Sequence, residues 1–350
     1  MGVVAIGRNE GDRLRRCLAS IALAGDGLPA VYVDSGSTDG SVAMARSMGV
    51  EVVELDMTRP FSAARARNEG FERLRRVAPA SRYVLFVDGD CEVVPGWIER
   101  ARAELEARPD CAAVCGRRRE VDPAGSIYNR LADLEWDTPI GEAAACGGDS
   151  VMRAEAFEAV GGFDPTAAAG EEPELCQRLR GAGWSVWRVD AEMTRHDLGM
   201  TRFRQWWRRQ YRGGYNGLDI ATRFAGPDRP FARGLARSRA WAIGWPLATA
   251  CAALAGGLAA GWIGFSIGAS LGLAFLALQV LRLAVRIRGR VDASRTALAY
   301  GMLTMAAKWA DLAGQVGYTL DRRRGRTARL IEYKRADGGR EGLAGAEARR

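Results

Sequence analysis

Two aspartates separated by one glycine, Asp88-Gly89-Asp90, follow directly on the apolar run Tyr83-Val84-Leu85-Phe86-Val87. Such a run, closed by a turn signal, reads as a strand buried on both faces of a parallel sheet. Open α/β sheets bind ligands beyond the carboxyl ends of their strands, and both acids stand at that end. Two adjacent carboxylates repel, and a shared cation keeps both ionised at neutral pH. Mg²⁺ or Mn²⁺ held by one or two carboxylates completes its shell with water and substrate phosphates. The chemistry expected here is metal-assisted handling of a phosphorylated ligand. The competing reading is a surface turn, since D-G-D is also ordinary turn chemistry. Further along, Glu171-Glu172 precedes Pro173 at the start of a helical stretch, where acids also complement the helix dipole. His196 is the only histidine in the chain.

The elements that must position these groups alternate. Short apolar strands are predicted at 3–6, 31–33 and 50–55 ahead of the acidic strand, and another at 185–189 leads towards His196. Between them, Leu14, Cys17, Leu18 and Ile21 mark one face of an amphipathic helix, and further helices are expected near 43–48, 63–74 and 95–107. The last is expected to open at Pro95, a favoured first helical residue. Strand–helix alternation at this spacing predicts a doubly wound α/β sheet. No G-x-G-x-x-G follows the first strand, which counts against a dehydrogenase.

At 350 residues the chain has room for one large domain and something smaller. Its formal net charge of +8 fits nucleic acid, an anionic membrane surface or a phosphorylated substrate. No basic motif with interleaved stacking aromatics appears, so no nucleic-acid partner is expected. The seven cysteines lack C-x-x-C spacing and point to reduced thiols. Met1 leads straight into the first strand, and no signal peptide is expected.

Residues 3–21, Val33-Asp34-Ser35-Gly36-Ser37-Thr38-Asp39-Gly40, Ala66-Arg67-Asn68-Glu69-Gly70 and Val87-Asp88-Gly89-Asp90 together resemble the family 2 glycosyltransferases. The likeness continues through Gly147-Gly148-Asp149-Ser150, Gly161-Gly162-Phe163-Asp164 and Gly170-Glu171-Glu172-Pro173-Glu174-Leu175, and covers about 1–215. It implies the GT-A fold, a doubly wound mixed sheet, and transfer of a sugar from a nucleotide diphosphosugar, UDP-linked in the common case, with inversion. It implies that Asp34 accepts from the base, with Asn9, Glu10 and Ser35 in the nucleoside pocket and Arg67 near the base or diphosphate. Asp90 would bind the metal directly, Asp88 would lie nearer the ribose and the metal's waters, and His196 would be a protein ligand to the same ion. Glu172, beside Glu171, would be the general base, and Gly148 and Asp149 would face the acceptor. Simpler readings stand beside these. Asp34 and Asp39 suit an Asx-turn, Arg67 a solvated helix face beside Arg65, and Glu174 is a third acid close to the base.

Gln205-Trp206-Trp207-Arg208-Arg209 resembles the Q-x-x-R-W of processive family members, with Gln205 and Arg208 matching and Arg209 in place of tryptophan. Arg208 is expected to stabilise the leaving diphosphate, and loss of the tryptophan predicts single addition. The plainer reading puts the tryptophans at a membrane interface.

No charged residue occurs between Arg239 and Arg282. That stretch is too long for one crossing of a core about 30 Å thick, and a two-helix hairpin turning near 261–264 is expected over 240–282. A basic linker over 216–239 and a juxtamembrane segment and tail over 283–350 flank it. Arg229, Arg233, Arg237 and Arg239 before it, and Arg282, Arg286, Arg288 and Arg290 after it, place both ends in the cytoplasm. The stretch 296–320, containing Lys308 and Asp311, reads as an interfacial helix or a third crossing. The sequence thus predicts a multi-pass inner-membrane, metal-dependent glycosyltransferase with a cytoplasmic catalytic domain and a lipid-linked or membrane-proximal glycan acceptor. Two alternatives are direct transfer to polyprenyl phosphate and a non-catalytic nucleotide-sugar-binding membrane protein. A mere binder has no need of Glu172.

Overall fold

Val3-Val4-Ala5-Ile6 forms the middle of strand β1 (Gly2–Gly7) in the computed structural model, which describes residues 1–326 apart from 26, 168, 224–229 and 292. Strand β1 pairs in parallel with β2 (Ala30–Asp34) on one side and β4 (Tyr83–Asp88) on the other, and β2 pairs in parallel with β3 (Glu51–Glu54). The crossovers are α1 (Asp12–Leu23), α2 (Ser41–Ser47) and α3 (Ala63–Val77). Helix α3 starts where it does because the Ser62 hydroxyl accepts from Arg65 N at 3.2 Å. Leu85, Phe86 and Val87 are fully buried, each worth about 1.5–3 kcal/mol relative to exposure. That burial fixes the register of β4 and so the place of Asp88 at its end.

Beyond β4 the sheet becomes mixed. The following elements are β5 (Cys91–Val93), α4 (Trp97–Ala107), β6 (Cys111–Glu120), α5 (Ile127–Glu135), β7 (Gly141–Glu142), β8 (Ser150–Arg153), α6 (Ala154–Ala159), α7 (Glu171–Gly181) and β9 (Ser185–His196). The strand order is β3-β2-β1-β4-β8-β6-β9-β5, with β7 also on β9. Strand β8 runs antiparallel to β4 and β6, while β6 and β9 are parallel. The expected doubly wound mixed sheet is therefore present. Helix α4 begins at Trp97 rather than Pro95, because Val94 N still donates to Met193 O and prolongs the strand ladder. None of the seven cysteines is in a disulfide, and six are buried.

The C-terminal part is helical: α8 (Phe203–Arg223), α9 (Pro230–Arg239), a wide turn Ala240–Gly244, α10 (Trp245–Ile287) and α11 (Ser294–Arg323). Helix α10 is broken at Ala260 and Gly261, where φ is −141° and 60°, and its halves fold back on one another. Trp241 stacks on Phe275 with centroids 5.7 Å apart, and Trp245 Nε1 donates to Gly272 O at 3.1 Å. Gly256 meets Gly264, and Gly268 meets the backbone of Ala252, so the two halves touch through main chain. The turn falls one residue ahead of the 261–264 expected from the sequence. By length and composition, Phe231–Arg290 can cross a membrane, and Leu258 and Trp262 at the tip of the hairpin are 91 % and 78 % exposed.

Helix α11 turns back towards the sheet domain. It packs on α8 with Gly214 against the Asp311 backbone and Gly314 against Tyr211 and Tyr215, and Tyr215 OH donates to Asp321 Oδ2 at 3.1 Å. The boundary expected at 215 thus falls inside a continuous helix. Trp206 is buried with Ala132, Leu198 and Met200, so it seals α8 onto the sheet domain rather than lying at a membrane interface. Arg229 and the tail over 327–350 lie outside the described residues.

Candidate active site

Parallel pairing aligns the carboxyl ends of β2, β1 and β4. Gly7 is level with Asp34 and Ile6 with Asp88, and the loops after β1 and β2 are stitched together. Asn9 N donates to Ser37 Oγ at 2.8 Å, and Asn9 Oδ1 accepts from Thr38 N at 2.7 Å. Ser35 N donates to Gly7 O, and Glu10 pairs with Arg13 at 2.9 Å. Asp34 accepts from Tyr32 OH at 2.9 Å and from Gly36 N and Ser37 N at 2.9 and 2.7 Å. The Asx-turn therefore forms. Three bonds leave one of a carboxylate's roughly four acceptor positions for a ligand. Asp39 is engaged by Ser41 N and Oγ.

Arg67 is the hub of the site. Projecting from the first turns of α3, it is 2 % exposed and donates to Asp88 Oδ1 at 2.8 Å and to Glu171 Oε1 at 2.6 Å. Glu172 Oε1 lies 3.5 Å from the same guanidinium. The solvated-face reading of Arg67 fails, because burial without these acids would strand a charge. Of the two glutamates, Glu172 keeps 18 % of its side chain exposed against 6 % for Glu171. Burial, and then Glu171, push the Glu172 carboxyl up to about 7, while Arg67 pulls it down. A carboxylate poised near neutrality and open to the cleft suits a general base. Glu174 does not compete, since both of its oxygens are taken by Arg178. Gly148 forms the floor beneath these groups. A Cβ there would lie 2.8 Å from Arg67 Nη2 and 3.0 Å from both Asp88 Oδ2 and Glu172 Oε1.

Asp149 is placed differently from the expectation. It is fully buried, Oδ1 accepts from Asp88 N at 3.1 Å, and Oδ2 accepts from Thr194 Oγ1 at 2.6 Å and pairs with Arg118 Nη2 at 2.8 Å. With both oxygens committed it cannot face an acceptor, and it braces the end of β4 instead. Arg118, which reasoning from sequence missed, also lies 3.6 Å from Asp88 Oδ2. Nothing in the run Arg117-Arg118-Arg119 marks which arginine faces inward, because pairing with β9 is interrupted there by register shifts.

Asp90 and His196 meet because β5, which follows Asp90, pairs with the end of β9 and sets Cys91 level with His196. His196 Nε2 lies 3.1 Å from Asp90 Oδ2. Neighbouring ligands of an octahedral ion with bonds of about 2.1 Å sit about 3 Å apart, so this pair fits one divalent cation. Burial, and then Arg118, hold the imidazole down at about 4, so its lone pair is available at neutral pH. Asp88 fits a direct ligand less well, since Arg67 and Arg118 already balance its charge. Cys91 is grouped with both acids, but burial pushes its thiol up and a soft donor suits neither Mg²⁺ nor Mn²⁺. Trp136 stacks on His196 with centroids 5.1 Å apart.

A cavity of about 410 Å³ opens beside His196, walled by Trp136, Arg118, Glu135 and the face of α8 that carries Arg209 and Arg212. Arg208 is not on this wall. Arg209, Arg212, Gly213 and Asn216 recur at helical spacing and face the cavity, leaving Arg208 at the edge of that stripe. Gln205 caps α8, accepting from Thr201 N and Arg202 N at 3.0 Å.

Residues 3–160, which hold the three aligned strand ends, Arg67, the D-G-D turn and Asp149, match the model of glycosyl transferase family 2. This domain belongs to glycosyltransferase family 2. Its members are enzymes that use nucleotide sugars. The chain is 28 % identical over 230 residues to the pre-mycofactocin glycosyltransferase of Mycobacterium tuberculosis, covering 62 % of this chain and 46 % of that protein. It is 28 % identical over 179 residues to the succinoglycan biosynthesis protein ExoA of Rhizobium meliloti, covering 46 % of this chain and 51 % of that one. It spans about half the length of each. In structure it is similar to a mannosyltransferase, PcManGT, from Pyrobaculum calidifontis in complex with GDP-Man and Mn²⁺. The TM-score is 0.61 at 21 % identity, over 91 % of this chain and 87 % of that one. The glycosyltransferase family 2 domain therefore sits in a chain whose fold is shared along most of its length.

Proposed function

We propose that this family 2 glycosyltransferase is a metal-dependent, inverting enzyme that moves a sugar from a nucleotide diphosphosugar, UDP-linked, to a lipid-linked or membrane-proximal glycan. The observation that carries this reading is the convergence of Glu172, Arg67, Asp88, Asp90 and His196 at one end of the sheet. Asn9, Glu10, Asp34 and Ser35 receive the nucleoside, with the free acceptor position of Asp34 on the base. Asp90 and His196 would hold Mn²⁺ or Mg²⁺, which supplies charge neutralisation for the departing diphosphate. That the fold neighbour was solved with GDP-Man and Mn²⁺ supports a nucleotide diphosphosugar donor and this ion, while its nucleotide is GDP and not UDP.

Glu172 accepts the proton of the acceptor hydroxyl as its oxygen bonds to the anomeric carbon. The bond from that carbon to the diphosphate breaks on the opposite face, which inverts the configuration. Arg67 pairs with Glu171 and Asp88 and so fixes the positions of the base and the ribose side of the site. The apolar hairpin crosses the bilayer twice, and the arginines at its two ends keep the catalytic domain at the cytoplasmic face of the inner membrane.

Donor hydrolysis and transfer assayed with purified protein across a panel of nucleotide sugars, with and without Mn²⁺, test the reading. Mn²⁺-dependent turnover of at least one nucleotide sugar is expected. Equal rates after chelation would overturn the metal-dependent mechanism, and no turnover or binding of any member would overturn the catalytic one.

A further inference from the structure

The ring of Trp136 lies against His196 at an interplanar angle of 27°. Trp136 sits just past the end of α5, in a turn where Thr138 N donates to Trp136 O at 3.0 Å. A ring carried on such a turn tilts with it, so whatever holds the turn also sets the face that His196 meets. Part of the hold comes from the sheet. Asp137 lies 3.7 Å from Arg117 Nη1 and 3.6 Å from Arg188 Nη2, and Arg188 also donates to Thr138 O. Arg118 stands 5.7 Å from the centre of the indole.

The rest of the hold comes from the C-terminal helices. Leu134, two residues before the tryptophan, is buried with Ala284, Ile287, Val291 and Ala297, which run from the end of α10 into α11. Arg290 belongs to the short 3₁₀ turn Arg288–Arg290 that ends the hairpin. Its Nη2 donates to Leu134 O at 3.4 Å and to Asp137 Oδ2, 153 residues away in sequence. Leu134 O is in the last turn of α5, among the carbonyls that a helix leaves without an internal partner. One guanidinium therefore reaches the chain on both sides of Trp136. An ion pair with side chains 42 % and 33 % exposed contributes little to stability. A planar fork that grips two acceptors bracketing one residue instead restricts how that residue can turn.

We propose that Arg290 is a positioning residue for the metal site. By gripping Leu134 and Asp137 it orients Trp136, and the indole in turn keeps the imidazole of His196 aimed at the point it shares with Asp90. Neighbouring groups orient a metal-ligating histidine in this way, and their loss weakens the metal without removing a ligand. The C-terminal helices, and not the sheet domain alone, then set the geometry of the site. This role rests on the metal-dependent reading above and adds to it a residue outside the cleft.

Full-length protein in detergent is titrated calorimetrically with UDP, and separately with GDP, at one fixed Mn²⁺ concentration and again with chelator. The ratio of the two affinities is the gain that the metal confers. Arg290→Ala is expected to cut that gain at least fivefold while the affinity in chelator stays within about twofold, which also shows that the fold is intact. Trp136→Leu is expected to cut it by a similar factor, and Trp136→Phe, which keeps a stacking face, to recover most of the loss. The Arg290→Ala/Trp136→Leu double variant is expected to be no worse than the weaker single, because both changes act on one path. An unchanged gain in Arg290→Ala overturns the proposal even if the melting temperature falls, since a merely structural contact would lower that alone. Losses that multiply in the double variant also overturn it, because Arg290 would then act by a route that avoids Trp136. If the wild-type protein shows no gain from Mn²⁺ with either nucleotide, the metal-dependent reading fails and the role of Arg290 falls with it.

Discussion

Glu172 carries the most direct residue-scale prediction. Glu172→Gln removes a group used only while the acceptor loses its proton, so turnover should fall by roughly 10²–10⁴-fold with donor affinity nearly unchanged. A larger effect from Glu171→Gln in the same assay would show that the base has been assigned to the wrong glutamate. The base acts ionised, and its carboxyl is held near 7 by burial and Glu171. Wild-type kcat/KM should therefore rise about tenfold per unit as pH increases from 5.5 and level off above about 7. A profile flat over this range would count against the assignment. Arg67→Met leaves Glu171 without its buried counter-charge and Asp88 with Arg118 alone and should cost about 3–5 kcal/mol, read as a lowered denaturation midpoint. Asp90→Ala should abolish Mn²⁺-dependent nucleotide binding, and unchanged calorimetric affinity would remove Asp90 from the metal site. The D-G-D turn, Glu172 and His196 were legible because strand-end acids, an acidic pair ahead of a helix and a lone histidine each leave a local signal. Arg118, Trp136 and the bracing role of Asp149 were not. Their positions depend on β6 pairing with β8 and β9 across long sequence separations, with irregular register.

At the scale of elements, periodicity located the strands and helices of the parallel half well, because each buries a continuous apolar face. Starts were less legible. Pro95 looked like the first residue of α4, but hydrogen bonding of Val94 to β9 delays the helix to Trp97. The motif at Gln205 read as catalytic, yet Gln205 caps α8 and Trp206 seals it, and only the three-dimensional helix face reveals that Arg209 and Arg212 line the cavity. The hairpin is where packing is least forgiving. Gly264 and Gly268 contact the backbone of the opposing half, so any larger side chain must push the helices apart. Gly268→Leu should destabilise the hairpin by about 1–3 kcal/mol, seen as a lower melting temperature in detergent. An unchanged melting temperature would mean that the two halves are not held together by this contact.

On the scale of the whole molecule, the absence of charge from 240 to 281 announced a hairpin, but nothing local announced that α11 would return to grip α8. Small residues that allow that grip, Gly214 and Gly314, look in sequence like ordinary weak points of a helix. The expected topology can be checked in membrane vesicles of known orientation. A single cysteine placed at Trp262, in a Cys251→Ser background, should react with an impermeant maleimide from the face opposite the catalytic domain. Labelling only from the catalytic side would mean that the hairpin lies along the membrane instead of crossing it.

Because α8 runs without a break from the cavity wall at Arg209 to the clamp at Gly214 and Tyr215, the site and its anchor share one rigid rod. Each residue of that rod advances about 1.5 Å and turns about 100°. On the membrane-anchored reading proposed above, the enzyme would act as a depth gauge, taking only those acceptors whose reactive group stands at one height above the apolar hairpin. Adding a residue between Arg212 and Gly214 would both lift that wall and swing it away from His196. A whole extra turn, which lifts with little rotation, would keep the chemistry intact and shift the gauge by about 5 Å. Choice of acceptor would then be a matter of reach as much as of recognition.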